Sequence, residues 1–453
     1  MREERFIGLH VEVAALFLIA ALVLGNYLTN NFSKENYLYL RLSEDPFNDD
    51  LSYGGRTRLF SLLPVLLKFF GLFFKLELVV RYLPLIIGII SLILFYLILK
   101  RYVDFKVRFA AVLIFTFSSS FLELFGDINP LIFTILISLL TLFLLKYNWK
   151  FIFLLLLVPL FDVVSLFFVM PLIFIYSVAI KQFRLLYVLP FLFLILPVFV
   201  LLHGIPDILM LERNNFFYNA VSDFGGVYGI SLFVWILSFF GLFKLWEKKY
   251  EHMWFYTAVI FFAAISVYYA RAFLLLSFFS CILAGYGIYK LIEGKWESGL
   301  IKNIVVSVMI FGLMFSFISY FKLDNNIPDN MKEGLLFLEK FGDDKVVFSH
   351  FNKGILINSI AKKRNVMDDD FFYAPDINER YNDSLTLFYT RESDMAISII
   401  KKYDVGYILV DEEMRKGLVW VEEEEGLLFL LKYSTKFKKI YSMNNVDIWK
   451  VNL

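Results

Sequence analysis

Residues 1–322 alternate between long apolar runs and short charged segments, and several runs reach the roughly 20 residues that a bilayer-spanning helix needs. Residues 149–181 are too long for one span and barely long enough for two. We therefore place Asp162 at the tip of a short hairpin, which keeps its carboxylate out of the hydrocarbon. The pattern predicts about 11 transmembrane helices, at 11–29, 82–99, 108–125, 130–146, 150–161, 164–180, 185–203, 228–245, 253–269, 271–289 and 301–321.

The basic segments of the chain fall on one side of this predicted topology. They are Arg2, Arg5, KRYVDFKVR (100–108), KYNWK (146–150), KQFR (181–184), KLWEKK (244–249) and EGKWESGLIK (293–302). The positive-inside rule makes that side cytoplasmic, which predicts a multi-pass protein of the cell membrane with a cytoplasmic N-terminus. Since the first apolar run has no small-residue cleavage site, we expect a retained span rather than a signal peptide.

The hydrophobic pattern changes near residue 323, and the rest of the chain is typical of a soluble unit. It predicts a division into 1–322 and 323–453, with an extracytoplasmic α/β domain in which helices cover a small mixed sheet. Predicted helices lie at 330–342, 352–364 and 393–403, and predicted strands at 345–350, 364–368, 405–410, 437–444 and 446–453.

Composition and charge narrow the class of protein. The 453 residues are 59% hydrophobic and include 54 phenylalanines, as expected for a polytopic α-helical membrane protein. The net charge of +1 provides no basic field, which argues against nucleic acid as a partner. The single cysteine, Cys281, excludes an intrachain disulfide and a cysteine-based metal cluster.

Charged side chains on the predicted outer side are the candidates for chemistry. A carboxylate there can take a proton from an acceptor hydroxyl, and a guanidinium can bind a phosphate through two hydrogen bonds. The candidates are Glu35, Asp49 and Asp50 in the first loop, Asp127 in the next turn, Glu212 in the 204–227 loop, and Arg271 in YYARAF (268–273).

Each candidate also has a structural interpretation. Asp127 and the following Asn129 precede Pro130, so they are placed to cap a helix. Arg271 can extend to the membrane interface, Glu212 can lie in a solvated loop, and the first-loop acids can shape a turn or lie exposed at a helix end.

The first external loop contains ENYLYLR (35–41) and DDLSYGGR (49–56), and these motifs resemble the first external loop of GT-C-type membrane glycosyltransferases. The likeness is greatest to archaeal relatives of the catalytic subunit of oligosaccharyltransferase. RYLPLIIGIISLILFYLILKRY (81–102) and YYARAFLLLSFFSCILAGYGIYKLIE (268–293) resemble later spans of that family, in the same order.

The resemblance implies transfer of a sugar from a polyprenyl (dolichyl) phosphate-linked donor to a glycan, lipid or protein acceptor on the external face. Glu35 corresponds to the loop's leading acid, the catalytic base or a metal ligand, with Asp49 or Asp50 as substitutes. Asp127 corresponds to the second-loop acid and Arg271 to the arginine on the phosphate side. Tyr37, Arg41, Arg56 and Glu212 are the remaining residues that we expect to bind substrate.

Two departures from the family keep other hypotheses open. The leading acid is Glu35 rather than aspartate, and FSHFNKG (348–354) stands where oligosaccharyltransferases carry their acceptor-recognition motif. The main hypothesis is an inverting hexosyltransferase without a certain cofactor. One alternative is an oligosaccharyltransferase-like enzyme that transfers a whole glycan with Mg²⁺ or Mn²⁺ held by Glu35 and Asp127. The other is a non-catalytic partner that binds or transports lipid-linked glycans.

Overall fold

The structure is a computed structural model, and helices dominate the part of the chain that it describes. That part comprises residues 19–23, 25, 32–54, 61–203, 219–226, 228–247, 249–321, 327–369, 375–422 and 424–452. The α-helices are α1 (Lys34–Glu44), α2 (Leu62–Gly71), α3 (Leu76–Leu99), α4 (Phe105–Thr116), α5 (Ser119–Phe125), α6 (Pro130–Leu144), α7 (Val158–Phe161), α8 (Leu166–Ala179), α9 (Leu189–His203), α10 (Leu232–Trp246), α11 (Met253–Ser266), α12 (Ala272–Glu293), α13 (Gly299–Phe321), α14 (Asp329–Phe341), α15 (Gly354–Ser359), α16 (Ile377–Tyr389), α17 (Ser393–Lys402) and α18 (Leu427–Tyr433).

Among the described residues, three helices are long and apolar enough to cross a membrane, namely Leu76–Leu99, Ala272–Glu293 and Gly299–Ser319. The pair α4 and α5, bent by 62°, would be a fourth crossing if it forms one span. Other apolar helices are shorter, and a 15-residue helix such as α6 extends only about 22 Å. The structure thus supports a helical membrane protein, while the number of spans stays a prediction.

The bend between α4 and α5 follows from the serines of TFSSSF (116–121). The Ser118 hydroxyl accepts a hydrogen bond from the backbone N–H of Phe121 at 3.1 Å and so caps the first turn of α5. A serine side chain that bonds to the backbone competes with helix continuation. The predicted span 108–125 is therefore two helices rather than one. The predicted span 11–29 lies outside the described residues, apart from 19–23 and 25, which are helical.

Contacts divide the chain into two compact units. The first unit contains the described residues of Arg81–Leu201 and Leu211–Asp324, and it includes the apolar helices from α4 to α13. The second unit contains the described residues of Phe32–Val80 together with Asn325–Leu453. Residues 32–80, which include the predicted first external loop, thus cluster with the chain's C-terminal part, and the predicted domain boundary at residue 322 stays a prediction.

Glycines allow the helices of the first unit to pack closely. A Cβ atom at Gly241 of α10 would lie 1.8 Å from the Leu283 oxygen, and one at Gly287 of α12 would lie 2.0 Å from the Leu237 oxygen. Gly285 makes a similarly close approach to α4. Small residues let helix backbones approach where lipid provides no hydrophobic drive for association. The AGYG sequence (284–287) therefore forms the seam that holds α12 against its two neighbours.

A four-stranded mixed sheet forms the centre of the second unit, with strand order β1-β2-β4-β3. Its strands are β1 (Val346–Phe348), β2 (Val405–Val410), β3 (Phe437–Met443) and β4 (Val446–Val451). β1 and β2 are parallel, whereas β4 runs antiparallel to both β2 and β3. Asn444 and Asn445 have φ angles of 47° and 66°, which suits the tight turn between β3 and β4.

Both faces of the sheet are buried. Tyr407 and Leu409 of β2 face a cluster that contains Leu335 of α14, while Ile408 and Val410 face a cluster on the opposite side. This alternation is the two-residue period of a strand. The sheet therefore lies between two layers of helices, as the sequence predicts.

Several predicted elements of the second unit need correction. Residues 364–368 form no named strand, and Asn365 makes only an isolated bridge with Val347. The predicted helix 352–364 begins as a 3₁₀ turn and continues only as α15, and the chain has a positive φ of 50° at Lys362. Helices α16 and α18 were not predicted.

Candidate functional site

The loop that the sequence predicts as the first external one begins as a helix, α1. α1 carries Glu35 in its first turn and Arg41 in its last, an order that suits the dipole of a helix. Leu38 and Leu42 are each 3% exposed, so one face of α1 is buried. Glu35 is partly exposed and lies within this helix.

Arg41 and Asp49 are brought together in a buried ion pair. Their atoms Nη1 and Oδ1 are 2.8 Å apart, and the side chains are 9% and 0% exposed. Nη2 lies 3.4 Å from the second carboxylate oxygen, and the backbone N–H groups of Leu51 and Ser52 donate to Oδ1 at 3.4 and 3.1 Å. The Asp49 carboxylate thus fixes the end of α1 to the turn that follows it. The neighbouring Asp50 is exposed.

The same turn is attached to the core of the second unit by two asparagines. Asn358 donates to the Ser52 hydroxyl at 3.0 Å, and the Asn365 side chain accepts from the Tyr53 N–H at 2.7 Å. Tyr53 is 1% exposed and lies in the core cluster that covers one sheet face. Its hydroxyl donates to the Asp368 carbonyl at 2.8 Å. The sequence did not identify either asparagine; Asn358 lies within the apolar segment GILINSIA (354–361), whereas Asn365 follows three basic residues and carries no such signal.

Tyr37 supports the attachment of α1 from the other side. Its ring packs against the core cluster on the opposite face of the sheet and meets Phe32 edge-on at 4.7 Å between ring centres. Lys34 forms an ion pair with Asp369. The aromatic residues of the loop therefore pack into the second unit, and a contact of Tyr37 or Arg41 with substrate stays a prediction.

Arg271 lies in the first unit at the start of α12, and it is exposed. Its guanidinium lies 6.0 Å from the centre of the Tyr228 ring, and it interacts with the neighbouring Tyr269. The Tyr269 ring is stacked on Phe168 of α8 at 5.5 Å. Aromatic side chains therefore hold the turn that presents Arg271.

Asp162 is an acidic residue of the first unit whose electrostatics involve Arg271. It ends α7, and its carboxylate accepts hydrogen bonds from the Val164 N–H at 3.0 Å and the Ser165 hydroxyl at 2.5 Å. The carboxylate also lies within electrostatic reach of Arg271. The structure has Asp162 between α7 and α8, and the hairpin predicted there stays a prediction. The sequence did not identify Asp162 as a site residue.

An apolar cavity of about 210 Å³ extends through the first unit, close to this cluster. Ser165 and Phe168 line it, so the residues that contact Asp162 and Tyr269 are also part of its wall. The remaining lining comes mainly from α3, α6, α8, α11 and α12 and is almost entirely hydrophobic and aromatic. Pockets of this kind suit an apolar ligand whose polar end is fixed by a few polar groups.

Asp127 lies in the same unit, at the turn before α6. The Asn129 side chain caps this helix by accepting from the Ile132 N–H at 3.2 Å. Asn129 also donates to the backbone carbonyl of Asp127 at 3.1 Å. The capping interpretation thus applies to Asn129.

Two predicted substrate-binding residues, Arg56 and Glu212, lie outside the described residues. Glu35 belongs to the second unit, and Asp127 belongs to the first. Within the part of the chain that the structure describes, no three His, Cys, Asp or Glu side chains are grouped as metal ligands would be. A metal ion held by Glu35 and Asp127 stays a prediction.

Comparisons with known proteins identify relatives by structure. No protein-family model matches the sequence, and no curated protein matches it. A crystal structure of the Archaeoglobus fulgidus oligosaccharyltransferase, tethered to an acceptor peptide containing the NVT sequon, has a TM-score of 0.64 at 13% identity. The match covers 97% of this chain and 74% of that one.

Two further solved structures also match this chain over nearly its full length. The archaeal oligosaccharyltransferase AglB from Archaeoglobus fulgidus, in complex with an inhibitory peptide and a dolichol-phosphate, has a TM-score of 0.65 at 11% identity, over 97% of this chain and 74% of its own. The mycobacterial arabinofuranosyltransferase AftD has a TM-score of 0.62 at 11% identity, over 97% of this chain but 40% of its own. The chain therefore shares the fold of these solved structures, which agrees with the resemblance to GT-C-type glycosyltransferases predicted from its sequence.

Proposed function

We propose that the protein is a membrane glycosyltransferase that uses a polyprenyl phosphate-linked sugar and transfers the sugar to an acceptor hydroxyl on the external face. The observation that carries the proposal is the apolar cavity whose wall includes Ser165 and Phe168, beside Asp162 and Arg271. An isoprenoid chain suits the cavity lining, and a phosphate suits the guanidinium. The similar archaeal AglB was solved with a dolichol-phosphate, which agrees with this class of donor.

Arg271 is the phosphate-binding residue in this proposal. It is exposed, so its guanidinium can reach a ligand, while the contacts of Tyr228 and Tyr269 orient it. Arginine offers paired donors that match two phosphate oxygens, which a lysine ammonium cannot reproduce. Asp162 lies within electrostatic reach of Arg271, so an arriving phosphate would share the guanidinium with it.

The chemistry is a displacement at the anomeric carbon of the sugar. The acceptor oxygen forms a bond to that carbon as the bond to the phosphate oxygen breaks, which inverts the configuration. The bonding electrons leave on the phosphate, where Arg271 stabilises the developing charge. The acceptor proton passes to a carboxylate, and Glu35 is the base in this proposal. Asp127 orients the acceptor.

Asp49 and Arg41 have structural roles in this account. Since the Asp49 carboxylate is fully buried and paired, removing it from the pair to act as a base would leave Arg41 buried without its partner. Asp50 is exposed and is a weaker candidate for a base than Glu35. The sugar of the donor is a hexose in our proposal, and the acceptor is a glycan, lipid or protein.

The test uses the purified full chain in liposomes with a polyprenyl phosphate-linked hexose, and it measures release of polyprenyl phosphate. We expect Arg271→Ala to raise the donor KM at least tenfold and Arg271→Lys to recover part of that loss. We expect Glu35→Gln to lower kcat by about 10²–10⁴ with the donor KM unchanged. Glu247→Gln, an exposed carboxylate paired with Lys244, is the matched control and should behave as the wild type.

Unchanged kinetics in Arg271→Ala would contradict the proposal that Arg271 binds the donor phosphate. Full activity in Glu35→Gln would contradict the proposal that Glu35 is the catalytic base. The oligosaccharyltransferase-like alternative uses a diphosphate-linked glycan and a divalent cation. Loss of turnover with a chelator, together with a preference for such a donor, would favour that alternative. A protein that binds donor but never releases its sugar would fit the non-catalytic alternative.

A further inference from the structure

Arg108 is a buried cation near the beginning of α4. The residue is 5% exposed, and its guanidinium lies 4.6 Å from the centre of the Tyr96 ring and 5.3 Å from the centre of the Phe105 ring. Aromatic rings attract a guanidinium through cation–π contacts, but they do not accept hydrogen bonds from the N–H groups in its plane as oxygen atoms do. Because a buried charge is costly unless it is paired and hydrogen-bonded, Arg108 requires a partner that carries oxygen.

The part of the chain that the structure describes does not supply this partner. Nε of Arg108 makes no hydrogen bond there, and neither does the hydroxyl of Tyr96, which is 3% exposed. Among the described residues, no carboxylate forms an ion pair with Arg108. Glu293 pairs with Lys106 at 3.0 Å, and Asp104 is exposed. Two buried polar groups, one on α3 and one on α4, are therefore left for a ligand.

The N-terminus of α4 favours an anion at the same place. Asp104 is the residue before the helix, and its side chain makes no capping hydrogen bond to the first turn. Side chains of a helix point back toward its N-terminus, and the guanidinium of Arg108 follows this direction, since it contacts the ring of Phe105 three residues earlier. A helix N-terminus carries partial positive charge and free N–H groups. The guanidinium and the helix therefore attract the same kind of ligand.

The surrounding segment indicates which anion binds. KRYVDFKVR (100–108) contains four basic residues and one acidic residue, and Lys100 and Lys106 are exposed. The segment directly follows α3, which is long and apolar enough to cross a membrane, so we expect it at the level of the lipid headgroups. Basic pockets at this level bind the phosphates of anionic lipids. A phosphate also offers two oxygens that match the paired N–H donors of a guanidinium.

We propose that Arg108 and Tyr96 form a phosphate-binding site at the start of α4, which holds the headgroup of an anionic lipid on the predicted cytoplasmic side. The guanidinium binds two phosphate oxygens, and the Tyr96 hydroxyl donates to a third. The site is distinct from the donor site of the proposed function and does not depend on it. Lys106 pairs with Glu293, the last residue of α12, whereas Arg271 immediately precedes that helix. A helix of 22 residues is about 33 Å long, so the start of α4 lies far from Arg271.

The test measures the thermal unfolding midpoint of the purified full chain in detergent micelles against the concentration of added ligand. The probes are short-chain phosphatidylglycerol, short-chain phosphatidylcholine and inorganic phosphate. We expect phosphatidylglycerol to raise the midpoint saturably and phosphatidylcholine to leave it unchanged, because a ligand that binds the folded state stabilises it. Arg108→Gln should raise the apparent Kd for phosphatidylglycerol at least tenfold. Lys100→Gln, which removes the same charge from an exposed position of the segment, should raise it less than twofold.

Tyr96→Phe is the second variant, since it keeps the ring that contacts Arg108 and removes only the hydroxyl. We expect it to weaken phosphatidylglycerol binding about threefold, and wild-type affinity in this variant would overturn the site even if Arg108→Gln fails to fold. Equal weakening in Arg108→Gln and Lys100→Gln would overturn it as well, because general surface charge would then explain the binding. Stabilisation by inorganic phosphate that Arg108→Gln abolishes would support the phosphate site and contradict its assignment to a lipid.

Discussion

The buried Arg41–Asp49 pair leads to a sharp prediction about the first external loop. Asp49→Ala should release α1 from the turn that follows it, because Arg41 would stay buried without its partner. Both side chains are almost completely buried, at 9% and 0% exposed. Removing one partner of such a pair costs about 3–5 kcal/mol.

This free energy corresponds to an increase of about two to four orders of magnitude in the equilibrium constant for opening of the loop, since each 1.4 kcal/mol is a factor of ten. Asp49→Asn should cost less, because the amide oxygen can still accept from the Ser52 N–H. Asp50→Ala is the matched control. Asp50 is adjacent and exposed, so its loss should change stability by less than about 0.5 kcal/mol.

Hydrogen exchange followed by mass spectrometry measures the opening directly. Peptides that cover residues 34–44 should lose protection in Asp49→Ala, while peptides from α12 keep theirs. If residues 34–44 exchange equally slowly in Asp49→Ala and in Asp50→Ala, the Arg41–Asp49 pair does not hold α1 in place and our reasoning is wrong.

Three further predictions concern packing and pH. Gly354→Ala should destabilise the second unit by about 1–3 kcal/mol in thermal unfolding, because a Cβ there would lie 2.1 Å from the Met367 oxygen; wild-type stability would contradict this. Gly287→Ala should likewise lower the thermal unfolding midpoint, because its Cβ would clash with the Leu237 oxygen; an unchanged midpoint would contradict close packing of α12 against α10 at this glycine. Burial alone raises the pKa of Asp447, but hydrogen bonds from Ser442, Arg415 and Lys439 outweigh it and lower the pKa. The stability from Asp447 is therefore present above the ordinary carboxyl pKa and lost as pH falls through the lowered value, so Asp447→Asn should flatten the acid limb of a stability–pH curve; identical acid limbs would refute this.

Much of the second unit could be predicted because its strands follow simple patterns. VGYILV (405–410) is a short apolar run, and the paired strands at the end of the chain are joined through Asn444 and Asn445, which tolerate a left-handed backbone. Residues 364–368 contain only two apolar side chains, Val366 and Met367, and Asn365 bonds to the first-loop turn instead of continuing a ladder. That bond joins residues more than 300 positions apart, which no local pattern can reveal.

The sequence indicates which charged residues are candidates for the site, but it does not indicate which side chains they contact. The sequence predicts Arg271 as a phosphate ligand and Glu35 as a base, and these roles stay predictions; in the structure Glu35 lies in the first turn of α1 and Arg271 immediately precedes α12. It did not distinguish Asp49, which is buried in a structural pair, from Asp50, which is exposed. Nor did it connect Asp162 with Arg271, because their proximity depends on how α8 packs against the turn before α12.

The central claim is that the cavity of the first unit holds the isoprenoid chain of a phosphate-linked donor. A photoactivatable polyprenyl phosphate, cross-linked to the full chain in liposomes and mapped by mass spectrometry, tests it most directly. We predict saturable labelling of peptides from α8, α11 and α12, displaced by unlabelled polyprenyl phosphate and weakened in Arg271→Ala. Labelling confined to other helices, or labelling that unlabelled lipid does not displace, would contradict the claim.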